Sequence, residues 1–140
     1  MEYRTETLIK ADPEHIWPIL ADASSWPDWD SGVQRIEGRV APGEKIKVVS
    51  EVNPGRAFPV KVTGFEPPRR MTWTGGMPLG LFKGVRTYEL KPESERATRF
   101  TLHEHFSGPL LPLIGRSIPD LGPSFDQFAR GLKERAERSG

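Results

Sequence analysis

The chain has 140 residues, 36% of them hydrophobic, a formal net charge of +1 and no cysteine. That length fits one domain over 1–140 and can bury roughly 68% of its unfolded surface, enough for one core. Near-neutral charge argues against a nucleic-acid footprint, and the missing cysteine excludes disulfides, thiolate ligands and a thiol nucleophile. The polar opening predicts no signal peptide and no run approaches the roughly 20 apolar residues of a membrane span, so a cytoplasmic protein is expected.

Tyr3–Ile9 alternates and predicts a strand with Thr5, Thr7 and Ile9 on one face. The stretch ADPEHIWPILADASSWPDWD follows and holds three of the four tryptophans. Asp12 is placed to cap a helix, Pro13 fits its first position, and Glu14 puts a carboxylate at its positive end. Ile16, Ile19, Leu20 and Ala23 form an apolar stripe, which predicts a helix over Ala11–Ala23. Pro18 removes a bond to the Glu14 carbonyl and predicts a bend or early end. Ser24–Asp30 is expected to fold back as a short second helix, with Trp17 and Trp26 at the junction and Trp29 nearest the interior.

From Val33 to Phe106 the period becomes two. The predicted strands are Val33–Val40, Lys45–Val52, Pro59–Phe65, Arg70–Thr74, Gly84–Leu90 and Thr98–Phe106. Turns fall at Ala41-Pro42-Gly43, Asn53-Pro54-Gly55, Glu66–Arg69 and Lys91–Ala97, and Gly75–Gly84 reads as a loop. Short connections of this kind predict an antiparallel meander. After Ser107-Gly108-Pro109, residues Leu110–Ser139 carry Leu121, Phe125, Phe128 and Leu132 at helical spacing, with Pro119 and Pro123 near the start or at a kink. The order β-α-α-β-β-β-β-β-β-α is α+β: a seven-stranded curled antiparallel sheet wrapped around a long C-terminal helix. Sheet and helix leave a gap unless bulky side chains fill it, and that gap is the natural ligand site.

The run Ile9-Lys10-Ala11-Asp12-Pro13-Glu14-His15-Ile16-Trp17, with Leu20, Trp26 and Trp29, resembles the opening of START-like (SRPBCC) proteins, the polyketide cyclase/dehydrase and lipid transport group. Phe65-Glu66-Pro67-Pro68 before Met71-Thr72-Trp73, and Gly131-Leu132-Lys133, extend the resemblance over essentially the whole chain. It implies a helix-grip fold with an internal apolar cavity. It does not single out a function, because such a fold hosts carriers, receptors and enzymes. The prolines of the last third depart from the usual pattern and leave the continuity of the long helix open.

Strand parity puts Phe100, Leu102, Glu104 and Phe106 on one inward face, and Arg86, Tyr88 and Leu90 on that of the neighbouring strand. Glu104 is the polar exception, and Arg86 is its expected partner across the sheet. The pair reads either as an anchor for a carbonyl or carboxylate ligand or as a structural ion pair at the cavity rim. Trp29, Phe58, Met71, Trp73, Phe82, Leu121, Phe125 and Phe128 join Arg86, Tyr88, Leu102 and Glu104 as candidate cavity residues, with ordinary core the competing reading for each apolar one. His103 and His105 share the polar face; two imidazoles without a third ligand read as surface groups, so no metal and no cofactor is expected. His15 is expected in solvent. The loop Gly75–Gly84 lacks the GK[ST] ending of a phosphate loop, and its Met77, Leu79, Leu81 and Phe82 suit either a gate over the cavity or a segment folded into the core.

The first functional reading is a binding protein for a small apolar or amphipathic molecule: a lipid, a polyketide or a quinone. The second is an enzyme of the cyclase or dehydratase kind, with Arg86, Tyr88 or Glu104 assisting proton transfer. The third is a protein-interaction module docking through the apolar loop. Transient membrane contact fits the same loop, and the oligomeric state is left open.

Overall fold

The computed structural model describes residues 1–51 and 54–139. The expected strand end at Val52 and turn residue Asn53 lie outside them. Seven strands are present: β1 (Glu2–Ile9), β2 (Val33–Glu37), β3 (Lys45–Ser50), β4 (Phe58–Glu66), β5 (Arg70–Gly76), β6 (Lys83–Ser94) and β7 (Ala97–Ser107). They form one antiparallel sheet in the order β1-β7-β6-β5-β4-β3-β2. Consecutive strands from β2 to β7 pair by short turns, and β1 adds at the β7 edge. The meander and the α+β helix-grip architecture match the sequence expectation.

Several boundaries differ, for local reasons. Strands β6 and β7 pair out to Ser94 and Ala97, so the turn expected over Lys91–Ala97 is a tight reversal with Arg96 at φ 59°. The loop expected over Gly75–Gly84 is shorter as well. Gly75 and Gly76 still pair with Gly84 and Lys83, because glycine tolerates the crowded strand ends.

Helix α1 (Pro13–Ala21) starts at Pro13 as expected. Asp12 flanks it in extended backbone, but its side chain makes no capping bond. With Pro18 inside, α1 stops two residues short of Ala23 (21 against 23), and a 3-10 turn over Ala23–Asp28 replaces the expected second helix. His15, expected in solvent, instead meets the Ala136 carbonyl through Nε2 at 3.0 Å and ties α1 to the C-terminal helix.

The last third is broken where its prolines stand. Helix α2 (Leu111–Ile114) and a 3-10 turn (Gly115–Ser117) precede Pro119, and α3 (Gly122–Ser139) begins with Pro123 in its first turn. The long helix is therefore continuous only after Pro119. Its apolar stripe, Phe125, Phe128, Ala129, Leu132 and Ala136, is buried against the concave face of the sheet. Its outer groups fasten it to β1: Thr5 Oγ1 donates to Asp126 Oδ1 at 2.8 Å, and Lys133 Nζ donates to the Leu8 carbonyl at 3.1 Å. Among the described residues, no helix is long and apolar enough to cross a membrane.

Candidate functional site: a charged pair at the edge of an aromatic interior

The concave side of the sheet is filled mainly by rings. Trp26 leaves the 3-10 turn and stacks on Trp73 of β5, centroids 5.1 Å apart and 12° from parallel. Phe128 of α3 meets Trp26 edge-on at 4.8 Å, and Tyr88 of β6 lies 5.0 Å from Trp73. Such offset and edge-to-face contacts are the favoured aromatic geometries. The gap expected between sheet and helix is thus largely occupied. Between them lies a cavity of about 60 Å³ walled by Trp26, Ser31, Gly32, Val33, Val48, Ser50, Arg86, Leu102, Leu121, Ser124, Phe125 and Phe128. It has room for a few waters, not for a drug-sized molecule, which needs roughly 300 Å³ or more.

Arg86 is the charged group on that wall. β6 and β7 place its Cα opposite that of Glu104. Arg86 Nη2 lies 2.6 Å and Nε 2.8 Å from Glu104 Oε1, with side-chain exposures of 29% and 12%. The guanidinium also lies 4.9 Å from the Phe125 ring centroid, a cation–π contact. Gly84 leaves room for the carboxylate: a Cβ there would stand 2.9 Å from Glu104 Oε2. Burial alone would lower the Arg86 pKa, but the Glu104 charge overrides it and the net direction is upward, so Arg86 is a permanent cation. Burial pushes the Tyr88 hydroxyl up to about 12 against the opposing pull of Arg86, so it is a neutral O–H at ordinary pH. Tyr88 Oη, Trp73 Nε1 and Trp29 Nε1 are buried without a normal hydrogen-bond partner among the described residues.

The other expected residues divide into three groups. Arg86, Leu102, Leu121, Phe125 and Phe128 line the cavity, and Glu104 holds Arg86 there. Met71, Trp73 and Tyr88 are buried core beside it. Phe58, Phe82 and Trp29 stand elsewhere. Phe58 is 40% exposed with Arg56 over its ring at 5.1 Å, because β4 begins there at the sheet's end. Phe82 stacks on Phe106 at 5.7 Å under the β5–β6 loop. Trp29 packs on Phe128 but borders an outer groove with Asp28, Gly131 and Arg135, because the chain leaves the 3-10 turn in extended backbone.

Trp26, Ser31, Gly32, Val33, Val48, Ser50 and Ser124 were not among the expected lining residues. Alternation put Val48 and Ser50 on one face, but only the curl of the sheet brings that face opposite Arg86. His103 Nε2 and His105 Nδ1 both meet Glu2 on the outer face, at 3.3 and 3.1 Å. The two hydrogen bonds hold the Glu2 carboxyl below its usual range. Among the described residues no group of three ligating side chains is arranged to hold a metal ion.

A curled antiparallel sheet gripping a C-terminal helix, with a charged pair at the edge of an apolar interior, defines a START-like helix-grip protein. The chain belongs to the polyketide cyclase/dehydrase and lipid transport family, whose model matches residues 1–137. Solved structures share the fold. A hypothetical protein from Helicobacter pylori, 16% identical, superposes with a TM-score of 0.78 over 97% of this chain and 88% of its own. The Zhui aromatase/cyclase from a Streptomyces species is 13% identical, with a TM-score of 0.72 over 99% of this chain and 94% of its own. A START superfamily protein from Mycobacterium smegmatis, also 13% identical, has a TM-score of 0.68 over 99% of both chains. A search of curated proteins finds no significant match.

Proposed function

We propose that the protein binds a small apolar or amphipathic molecule whose oxygen-bearing end is held at Arg86. One observation carries this reading: a cation fixed by Glu104 borders a cavity walled by apolar side chains and three serines, beside a buried Tyr88 hydroxyl that makes no hydrogen bond of normal geometry. A protein gains no stability from such an unsatisfied donor, whereas a ligand oxygen accepting from it removes the cost of burying it. Affinity beyond that contact comes from apolar area, at about 25 cal/mol per Å². The cavity takes such a guest only by parting its wall, which Leu121 and Ser124 share with Val48 and Ser50 of β3.

Native mass spectrometry and tryptophan-fluorescence titration with fatty acids, quinones and polyphenols test the reading. Binding by the wild type, lost in Arg86→Gln with an unchanged fold, supports it. No binding of any of the three classes sinks it.

A second reading, a cyclase or dehydratase, rests on the grouping of Arg86, Glu104 and Tyr88 and on the family's name. Arg86 would stabilise a developing enolate oxygen and Glu104 would take the proton. Turnover of a poly-β-keto thioester mimic by the wild type, abolished in Glu104→Gln, distinguishes it from simple binding.

A further inference from the structure

The charges around the cavity decide what kind of oxygen it can hold. Among the described residues, Arg86 is the one charged side chain on its wall. Glu104 already balances that cation: Arg86 Nε and Nη2 both donate to Glu104 Oε1, at 2.8 and 2.6 Å. The second source of positive potential is the first turn of α3, which brings Ser124 to the wall beside Leu121. Asp120 stands just before that turn, and its Oδ1 accepts from the Gly122 N–H at 3.0 Å. Each positive element beside the cavity therefore has a carboxylate of this chain against it.

What the site keeps is hydrogen-bond donors. Arg86 carries N–H groups and no acceptor. Tyr88 lies within reach of Arg86. Because Arg86 can only donate, any contact between them uses the lone pairs of the hydroxyl and leaves its proton unpaired. Burial keeps that proton in place up to about pH 12. Trp73 stands opposite Arg86 in the β5–β6 register. Its indole N–H can only donate, and it is buried without a hydrogen-bond partner among the described residues.

Two kinds of ligand oxygen can accept from such donors. A carboxylate would bring a charge into apolar surroundings whose cation is already spent on Glu104, and would lie close to that like charge. A carbonyl accepts the same hydrogen bonds and brings no charge.

We propose that the group held at Arg86 is a neutral carbonyl, as in a ketone, quinone or ester, and that the site discriminates against a carboxylate on the same tail. The inference rests on the ligand reading above and narrows it.

Tryptophan-fluorescence titration with laurate, methyl laurate and a methyl ketone of matching length, at neutral pH and below the onset of micelles, tests it. The wild type is expected to bind the ester and the ketone at least about ten-fold more tightly than laurate. Glu104→Gln leaves Arg86 without its counter-charge, and laurate is then expected to overtake the ester, a relative gain of more than about ten-fold. Asp120→Asn, on the surface, is expected to favour laurate by a smaller factor at an unchanged melting temperature, so the test stands even if the Glu104 variant folds poorly. Laurate bound by the wild type as tightly as the ester, or a ranking that neither variant shifts, overturns the inference and leaves the ligand reading standing. Binding of none of the three probes overturns the ligand reading and the inference with it.

Discussion

Arg86 and Glu104 stand opposite one another on adjacent strands, joined at 2.6 Å, on the inward face of the sheet. Removing one partner leaves the other in apolar surroundings without its counter-charge. Glu104→Ala is expected to destabilise the fold by about 2 kcal/mol, below the full cost of a fully buried pair because Arg86 keeps some solvent contact. Replacing both, Arg86→Met with Glu104→Leu, should recover most of that loss, as measured by urea unfolding. A double variant no more stable than Glu104→Ala would show that the loss does not come from the stranded Arg86 charge.

Tyr88 offers a separation of stability from binding. Its hydroxyl makes no hydrogen bond of normal geometry and has only the Arg86 cation pulling on it, so Tyr88→Phe should change stability by no more than about 1 kcal/mol. If the hydroxyl donates to a ligand, the same change weakens binding. Thermal melts and ligand titrations on one variant read both.

The same residue sets an alkaline limit. With its pKa raised to about 12, above the 10.0 of an ordinary tyrosine, Tyr88 holds its proton more tightly when folded than when unfolded. Its contribution is complete below pH 10 and is lost as pH rises towards 12. Absorbance at the tyrosinate band should show Tyr88 ionising late and together with unfolding, a coupling absent in Tyr88→Phe.

Gly131 lies mid-helix, where alanine has the better intrinsic propensity by about 1 kcal/mol. The packing reverses that preference. A Cβ there would stand 2.0 Å from the Asp30 carbonyl oxygen, which is backbone and cannot swing away. Gly131→Ala is expected to destabilise by roughly 3 kcal/mol in chemical denaturation, whereas a change near zero would mean the segment around Asp30 shifts freely.

Thr98 donates from Oγ1 to the Ala11 carbonyl at 2.7 Å and is fully buried. It locks the start of β7 to the turn between β1 and α1. Thr98→Val keeps the shape and strands that carbonyl, for an expected loss of about 1–2 kcal/mol in a thermal melt, with Thr98→Ser recovering part of it.

Period and punctuation in the sequence determined the architecture: alternation from Val33 to Phe106, a helical stripe from Leu121 to Leu132, and prolines that mark helix starts and breaks. Those signals are local, set by the two repeats of backbone geometry, and one chain displays them without its neighbours. Parity also determined the charged pair, because alternate residues of adjacent strands must share a face. Only the tertiary structure decided how much room is left inside. Whether Trp26, Trp73, Tyr88 and Phe128 line a cavity or fill it depends on the curl of the sheet and the placement of α3, which bring together rings up to 102 positions apart (26 to 128). The same curl set Val48 and Ser50 against Arg86, while the extended exit from the 3-10 turn put Trp29 on an outer groove and the start of β4 left Phe58 partly exposed. A side chain's face follows from its own strand, but the volume it encloses is shared among elements that meet only in the fold.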